Sequence, residues 1–110
     1  MTRWNSKKTP VAVGTYLKIP VMGDFAHQTI GSDDWFEWLE AEGNTTIYVE
    51  GYPHRYTARR EKCRKKYYWY GYKKENERLY KVYMGQSHKL TGDYIFKEIP
   101  LKLDEKLKNS

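Results

Sequence analysis

Between Lys65 and Lys74 the chain places five aromatic rings and one glycine between two pairs of lysines, in the order Lys-Lys-Tyr-Tyr-Trp-Tyr-Gly-Tyr-Lys-Lys. Cations interleaved with flat rings can hold phosphate and sugar, stack on bases, or stack on one another. The surrounding segment extends the pattern. From His54 to Lys89 there are twelve Lys or Arg residues against Glu61, Glu75 and Glu77, a local balance of +9 in a chain of net charge +6, so the remainder carries −3. From Gly31 to Glu50 stand Asp33, Asp34, Glu37, Glu40, Glu42 and Glu50, with no base. Charge divided in this way is the footprint expected when one surface meets a polyanion, the alternative being a solvated basic hairpin with no partner.

Other chemistries find less support. His27, His54 and His88 are scattered, with no cysteine or carboxylate at a metal-ligand spacing, so no structural metal or cofactor is expected. There is no glycine-rich phosphate loop and no nucleophile elbow. Cys63 lies among Lys62, Arg64 and Lys65, cations that favour a thiolate, but no general base adjoins it. The acids between Gly31 and Glu50 suit an exposed helix face better than a converging site. The chain is therefore read as a non-enzyme, with a small metal-dependent nuclease as the enzymatic alternative.

At 110 residues the length suits one domain with a single modest core. Eleven Tyr, four Trp and three Phe make that core ring-rich, and the single cysteine forbids an internal disulfide. No run approaches the ~18 apolar residues of a membrane span, and Met1 to Pro10 has no signal-peptide character, which leads to the expectation of a soluble cytoplasmic protein without a membrane partner.

Residues 1–15 are expected to be a flexible arm, residues 16–100 a single α+β domain, and residues 101–110 a frayed tail. Tyr16 to Val21 has strand-like content, but Pro20 limits it to a short or edge element. Ser32 is a good helix N-cap, Asp33 and Asp34 occupy the first turn where the macrodipole favours anions, and Gly43-Asn44 supplies the stop. Trp35, Trp38 and Leu39 recur at helical spacing and predict packing through their rings. From Thr45 the period changes to two, predicting strands over Thr46–Glu50, His54–Glu61, Tyr67–Lys73 and Leu79–Met84. Thr91 caps a closing helical segment that Pro100 is expected to end. The fold class is thus α+β, a small antiparallel sheet of three to four strands packed against one or two short helices.

Within the strand Tyr67–Lys73, alternate residues face opposite ways: Tyr67, Trp69, Gly71 and Lys73 share one side, and Tyr68, Tyr70, Tyr72 and Lys74 the other. Alternation alone does not say which set is outward. The larger indole is assigned to the core and the tyrosines Tyr68, Tyr70 and Tyr72 to a ligand side.

The order Ser32-Asp33-Asp34-Trp35-Phe36-Glu37-Trp38-Leu39, Tyr56-Thr57-Ala58-Arg59-Arg60-Glu61, Tyr68-Trp69-Tyr70-Gly71-Tyr72-Lys73, Lys81-Val82-Tyr83-Met84-Gly85-Gln86-Ser87 and Leu90-Thr91 resembles the N-terminal segment of bacterial LuxR/MalT-type ATP-dependent transcriptional regulators. The resemblance covers about residues 30 to 95. It implies neither ATP binding nor their helix-turn-helix, since the motifs of both are missing. A looser likeness links Trp69 to Lys73, Lys81 to Gly85 and the segment after Thr91 to the arm-type DNA-binding domains of tyrosine recombinases and to ethylene-response-factor domains. That layout implies a sheet whose open side enters the major groove.

The functional expectation is a small nucleic-acid-binding module, duplex DNA being the favoured partner, serving as a regulator or accessory protein of a mobile element or defence system. The residues assigned to nucleic acid are Arg55, Arg59, Arg60, Lys65, Lys66, Tyr68, Tyr70, Tyr72, Lys73, Lys74, Arg78 and Lys81. The alternative is a protein-interaction adaptor that docks a partner through the acidic Trp-rich helix from Asp33 to Glu42.

Overall fold

A computed structural model describes residues 9–21 and 24–109. The chain is α+β. It runs β1 (Val11–Val13), β2 (Tyr16–Val21), β3 (Asp24–Thr29), α1 (Asp33–Glu40), β4 (Thr46–Val49), β5 (Tyr56–Cys63), β6 (Lys66–Glu75), β7 (Arg78–Gly85), a short 3-10 turn (Ser87–Lys89), a π-helical segment (Tyr94–Glu98) and α2 (Ile99–Lys108). The strands form one seven-stranded sheet in the order β3-β2-β1-β4-β5-β6-β7. Every neighbouring pair is antiparallel except β1 and β4, which run parallel and make the sheet mixed.

The expected four-strand meander is present as β4 to β7, but the sheet is larger than three to four strands. The additional strands come from the N-terminal third. Val11–Val13 lies inside the segment expected to be a loose arm, yet Ala12 is fully buried and β1 is bonded on both sides. A run of three residues is too short to hold as a strand by itself despite its two valines, and it is the slot between β2 and β4 that orders it.

The turns follow local chemistry. Asn76 and Glu77 both take left-handed φ angles, 52° and 64°, as a two-residue hairpin with the twist of its flanking strands requires. Helix α1 begins where Ser32 Oγ accepts the Trp35 N–H at 3.2 Å. Its C-terminal end carries no base of its own. Pro100 does not end the closing helix; it sits in the first turn of α2, directly after the π-helical segment, and Phe96 O, four residues before it, accepts the Tyr52 N–H at 3.4 Å in place of a helical donor. The helix therefore continues through the residues expected to fray and buries Leu103 completely.

All the helical elements lie on one side of the sheet. Ala12, Leu17, Ile47, Val49, Tyr56, Ala58, Trp69, Val82 and Met84 from the strands meet Trp35, Leu39, Leu90, Ile95, Ile99 and Leu103 in one core. The polar tips of its rings are satisfied: Trp35 Nε1 donates to Leu90 O at 2.8 Å, Trp69 Nε1 to Ser87 Oγ at 2.8 Å, Tyr56 Oη to Ile95 O at 2.6 Å and Tyr94 Oη to Met84 O at 2.8 Å. Each bond ties a ring to a different element, so the rings fix the position of the helical layer as well as filling it. Burial pushes the Tyr56 hydroxyl well above the ordinary tyrosine range, with Tyr94 adding to it, so the donor stays protonated.

Candidate nucleic-acid interface

Because β6 buries Trp69, its alternate residues Tyr68, Tyr70, Tyr72 and Lys74 must stand on the other side of the sheet. The register carries that side outward. Tyr70 is paired with Arg59 and Tyr83, Tyr72 with Thr57 and Lys81, Tyr68 with Glu61, and Lys74 with Leu79. Among the described residues no helix packs over these positions. The result is a field of tyrosines and cations on β5, β6 and β7, open to solvent and one sheet thick from the core.

The rings are already arranged. Tyr83 meets Tyr70 edge-on with centroids 5.5 Å apart, and the Tyr68 ring is tilted against Tyr83 at 5.9 Å. Lys81 Nζ sits 4.3 Å from the Tyr70 ring centroid and 5.4 Å from that of Tyr72. Glu61 is the acid within this field. It accepts the Tyr72 hydroxyl on Oε2, while Lys81 Nζ lies 3.3 Å from Oε1. The Tyr72 hydroxyl, followed by Lys81, holds the Glu61 carboxyl below its usual range. Tyr72 is raised by partial burial and by Glu61, and Lys81 is raised by its bonds to Tyr72 and Glu61. At neutral pH the trio is therefore a carboxylate, a neutral phenol and an ammonium, and Glu61 aims Lys81 across the rings.

The sequence-assigned residues divide between the two sides. Arg59, Lys66, Tyr68, Tyr70, Tyr72, Lys74 and Lys81 share the open side, and Arg55, just before β5, continues the alternation with its side chain 76% exposed and paired to Glu50. Lys65 stands in the β5–β6 turn beside Arg64. Three others leave this surface. Arg60 lies under the helices with its side chain 7% exposed: Nη1 donates to Ala41 O at 3.2 Å, and its guanidinium stacks 4.3 Å from the Tyr67 centroid. It supplies the cation that the end of α1 lacks. Lys73 shares Trp69's side, and its Nζ donates to Arg55 O at 3.2 Å. Arg78, opposite Glu75 at the β6–β7 turn, also falls on that side.

The open side continues beyond the meander, which the sequence did not disclose. Tyr48 of β4, Tyr16 and Lys18 of β2, and Phe25 and His27 of β3 are brought onto it by the pairings Val11 with Tyr48 and Lys18, Lys18 with His27, and Pro20 with Phe25. The alternations Tyr16-x-Lys18 and Phe25-x-His27 were the available signal, too short to stand alone. Opposite this surface, α1 turns Asp33, Asp34, Glu37 and Glu40 to solvent. Among the described residues there is no cluster of three or more potential metal ligands, and no helix is long and apolar enough to cross a membrane. Comparison with family models, curated proteins and solved structures finds no match to this chain.

Proposed function

We propose that this chain is a small nucleic-acid-binding module that receives duplex DNA on the open side of β5, β6 and β7. The observation that carries the reading is the cluster of cations and rings on the open side. Arg59, Lys66, Lys74 and Lys81 stand among exposed and half-exposed tyrosines on one side of the sheet, while the acidic helix lies across the core on the other. Cations so placed would contact phosphates and set register, and the tyrosines would meet sugar or bases. The three strands β5 to β7 would act as the reading unit, as the likeness of their sequence to arm-type domains implies, with the remaining strands of the sheet supporting them. A role as a regulator or as an accessory protein of a mobile element or defence system follows from the resemblance to regulator segments.

The adaptor alternative gains less from the geometry. Trp35 is fully buried with its indole N–H committed, and Trp38 is half-buried against the core, so α1 offers a partner its acids but few of its rings. Fluorescence anisotropy with labelled duplex DNA, duplex RNA and single strands, titrated with salt, tests the proposal. Duplex DNA should bind at low salt and be released as salt rises. Absence of binding to all three at low salt would overturn nucleic-acid binding, and preference for single strands would replace groove docking by base stacking.

A further inference from the structure

The two outer edges of the sheet are protected to different degrees. At β7, Tyr80, Val82 and Tyr83 share a groove with Lys102, Glu105 and Lys106 of α2, and Arg78 and Lys81 add charge along the strand. At β3 no such groove is found among the described residues. Asp24, Phe25, Ala26, His27 and Thr29 are exposed, Gln28 is half-buried, and the strand contains neither proline nor lysine nor arginine. Long edges without these devices are templates for further strand pairing.

The hydrogen-bond pattern identifies which backbone groups are free to pair. The β2–β3 ladder keeps residue numbers summing to 45, as in Leu17 with Gln28 and Ile19 with Ala26. Ile30 N–H donates to Thr15 O at 2.9 Å, which belongs to the same series. In an antiparallel ladder bonded pairs alternate with non-bonded ones. The bonded pairs are then those of Gln28, Ala26 and Asp24, and the N–H and C=O groups of Phe25, His27 and Thr29 point away from β2. Of these, Thr29 O is taken by Ser32 N–H and Oγ, and the Phe25 N–H is capped by Asp24 Oδ1 at 2.8 Å. His27 N–H and C=O and Phe25 C=O are therefore the open groups, and pairing at Phe25 N–H displaces an exposed Asp24 side chain.

We propose that this outer edge pairs antiparallel with β3 of a second copy of the chain. Charge permits it: the described residues of β2 and β3 carry one lysine, Lys18, and one aspartate, Asp24, whereas the +9 segment lies at the opposite end of the sheet. Symmetry supplies the complement, because two identical edges related by a two-fold axis perpendicular to the sheet meet donor to acceptor. With Ala26 on the axis, Phe25 of each copy stands opposite the partner's His27. The edge-on contact of Tyr16 with His27, 5.8 Å between centroids, would then extend to a third ring. The same axis keeps both open sides facing one way, so a dimer would present two basic surfaces to one duplex with a dyad between them. The pairing itself does not depend on nucleic-acid binding.

Sedimentation equilibrium of the parent chain should return twice the 13.2 kDa monomer mass, falling toward the monomer on dilution. His27→Pro removes an outward N–H that the fold does not use. It should leave the thermal melt close to the parent's and give a monomer, whereas Gln28→Pro removes an inward N–H and should lower the melt. If His27→Pro melts early, the double variant Phe25→Lys with Thr29→Lys decides, since it places cations on the edge without altering the backbone, and a monomer is expected. A parent that is monomeric across the dilution series overturns the proposal. So does a folded His27→Pro, or a folded double lysine variant, that still dimerises.

Discussion

Replacing Arg59, Lys66 and Lys74 together by alanine removes three cations from the open side while leaving the core untouched. Five cations stand on or beside that side of β5 to β7: Arg55, Arg59, Lys66, Lys74 and Lys81. If each neutralises one phosphate, the logarithm of the binding constant should fall with the logarithm of salt at a slope of about −4.5. Between about 50 and 200 mM salt this amounts to a loss of roughly 500-fold in affinity. The triple variant keeps two of the five, giving a slope of about −1.8 and a loss of roughly 12-fold over the same range. Lys73→Ala is the control, one residue along from Lys74 but on the other side of the sheet, with its ammonium bonded to Arg55 O. Anisotropy on one labelled duplex at several salt concentrations measures four slopes: those of the parent, the triple variant, Lys73→Ala and Lys74→Ala. A triple variant with the parent's slope would refute the assignment of the open side, and a Lys73→Ala slope reduced as much as that of Lys74→Ala would show that alternation does not govern contact.

Trp69→Ala should cost about 3–5 kcal/mol, because the indole is fully buried and its removal also strips Ser87 of a bond; a thermal melt unchanged from the parent's would contradict this. Arg60→Ala should lower stability by about 1.5–3 kcal/mol through the lost bond to Ala41 O and leave the salt slope intact, as denaturant unfolding beside a binding titration would show. Asp104 accepts from His54 at 3.0 Å and lies 3.1 Å from Lys108, and these two hold its carboxyl below the usual range, His54 more strongly. A carboxylate with a lower pKa in the folded state stabilises fully above its unfolded pKa and loses that contribution as pH falls through the folded one. Asp104→Asn should therefore lower the melting temperature at neutral pH and converge with the parent in acid; an equal gap at both ends of a pH series would refute it.

The meander could be read from the sequence because each of its signals was local. Period-two alternation from Thr46 to Met84, a connection around Glu75-Asn76-Glu77 and the Ser32 cap each act within a few residues. β1 and β3 gave no such signal. Val11–Val13 is too short for a period, and Asp24–Thr29 is polar because it lies at an edge with little of it buried. Helix α2 was cut short because Pro100 breaks a helix interior but suits its first turn, and only the preceding π-helical segment decides which applies. At the site, alternation sorted β6 into two sets, and burial of Trp69 then assigned Lys73 to the covered side. Arg60 was drawn into the basic cluster by its neighbours in sequence, although it lies one position from Arg59 and so on the opposite side. Glu61 was counted only as a charge; its bond to Tyr72 depends on the register of two strands.

The parallel pairing of β1 with β4 bears on how the chain assembles as it is synthesised. Val11 and Tyr48 are 37 positions apart, and the bonds joining them, Tyr48 N–H to Pro10 O and Glu50 N–H to Ala12 O at 2.9 Å each, are the seam between two groups of strands. On one side of the seam β1, β2 and β3 are joined by short turns, and on the other β4 to β7 are likewise consecutive. The first group leaves the ribosome with both of its outer edges unpaired, and the β1 edge stays open until β4 has been made. Among the strand pairings the seam closes the largest loop and carries the largest ordering cost, while each hairpin closes a short connection on its own side. A nascent chain stalled before β4 would carry two open edges, β1 and β3, and be correspondingly prone to associate with its neighbours on the same message.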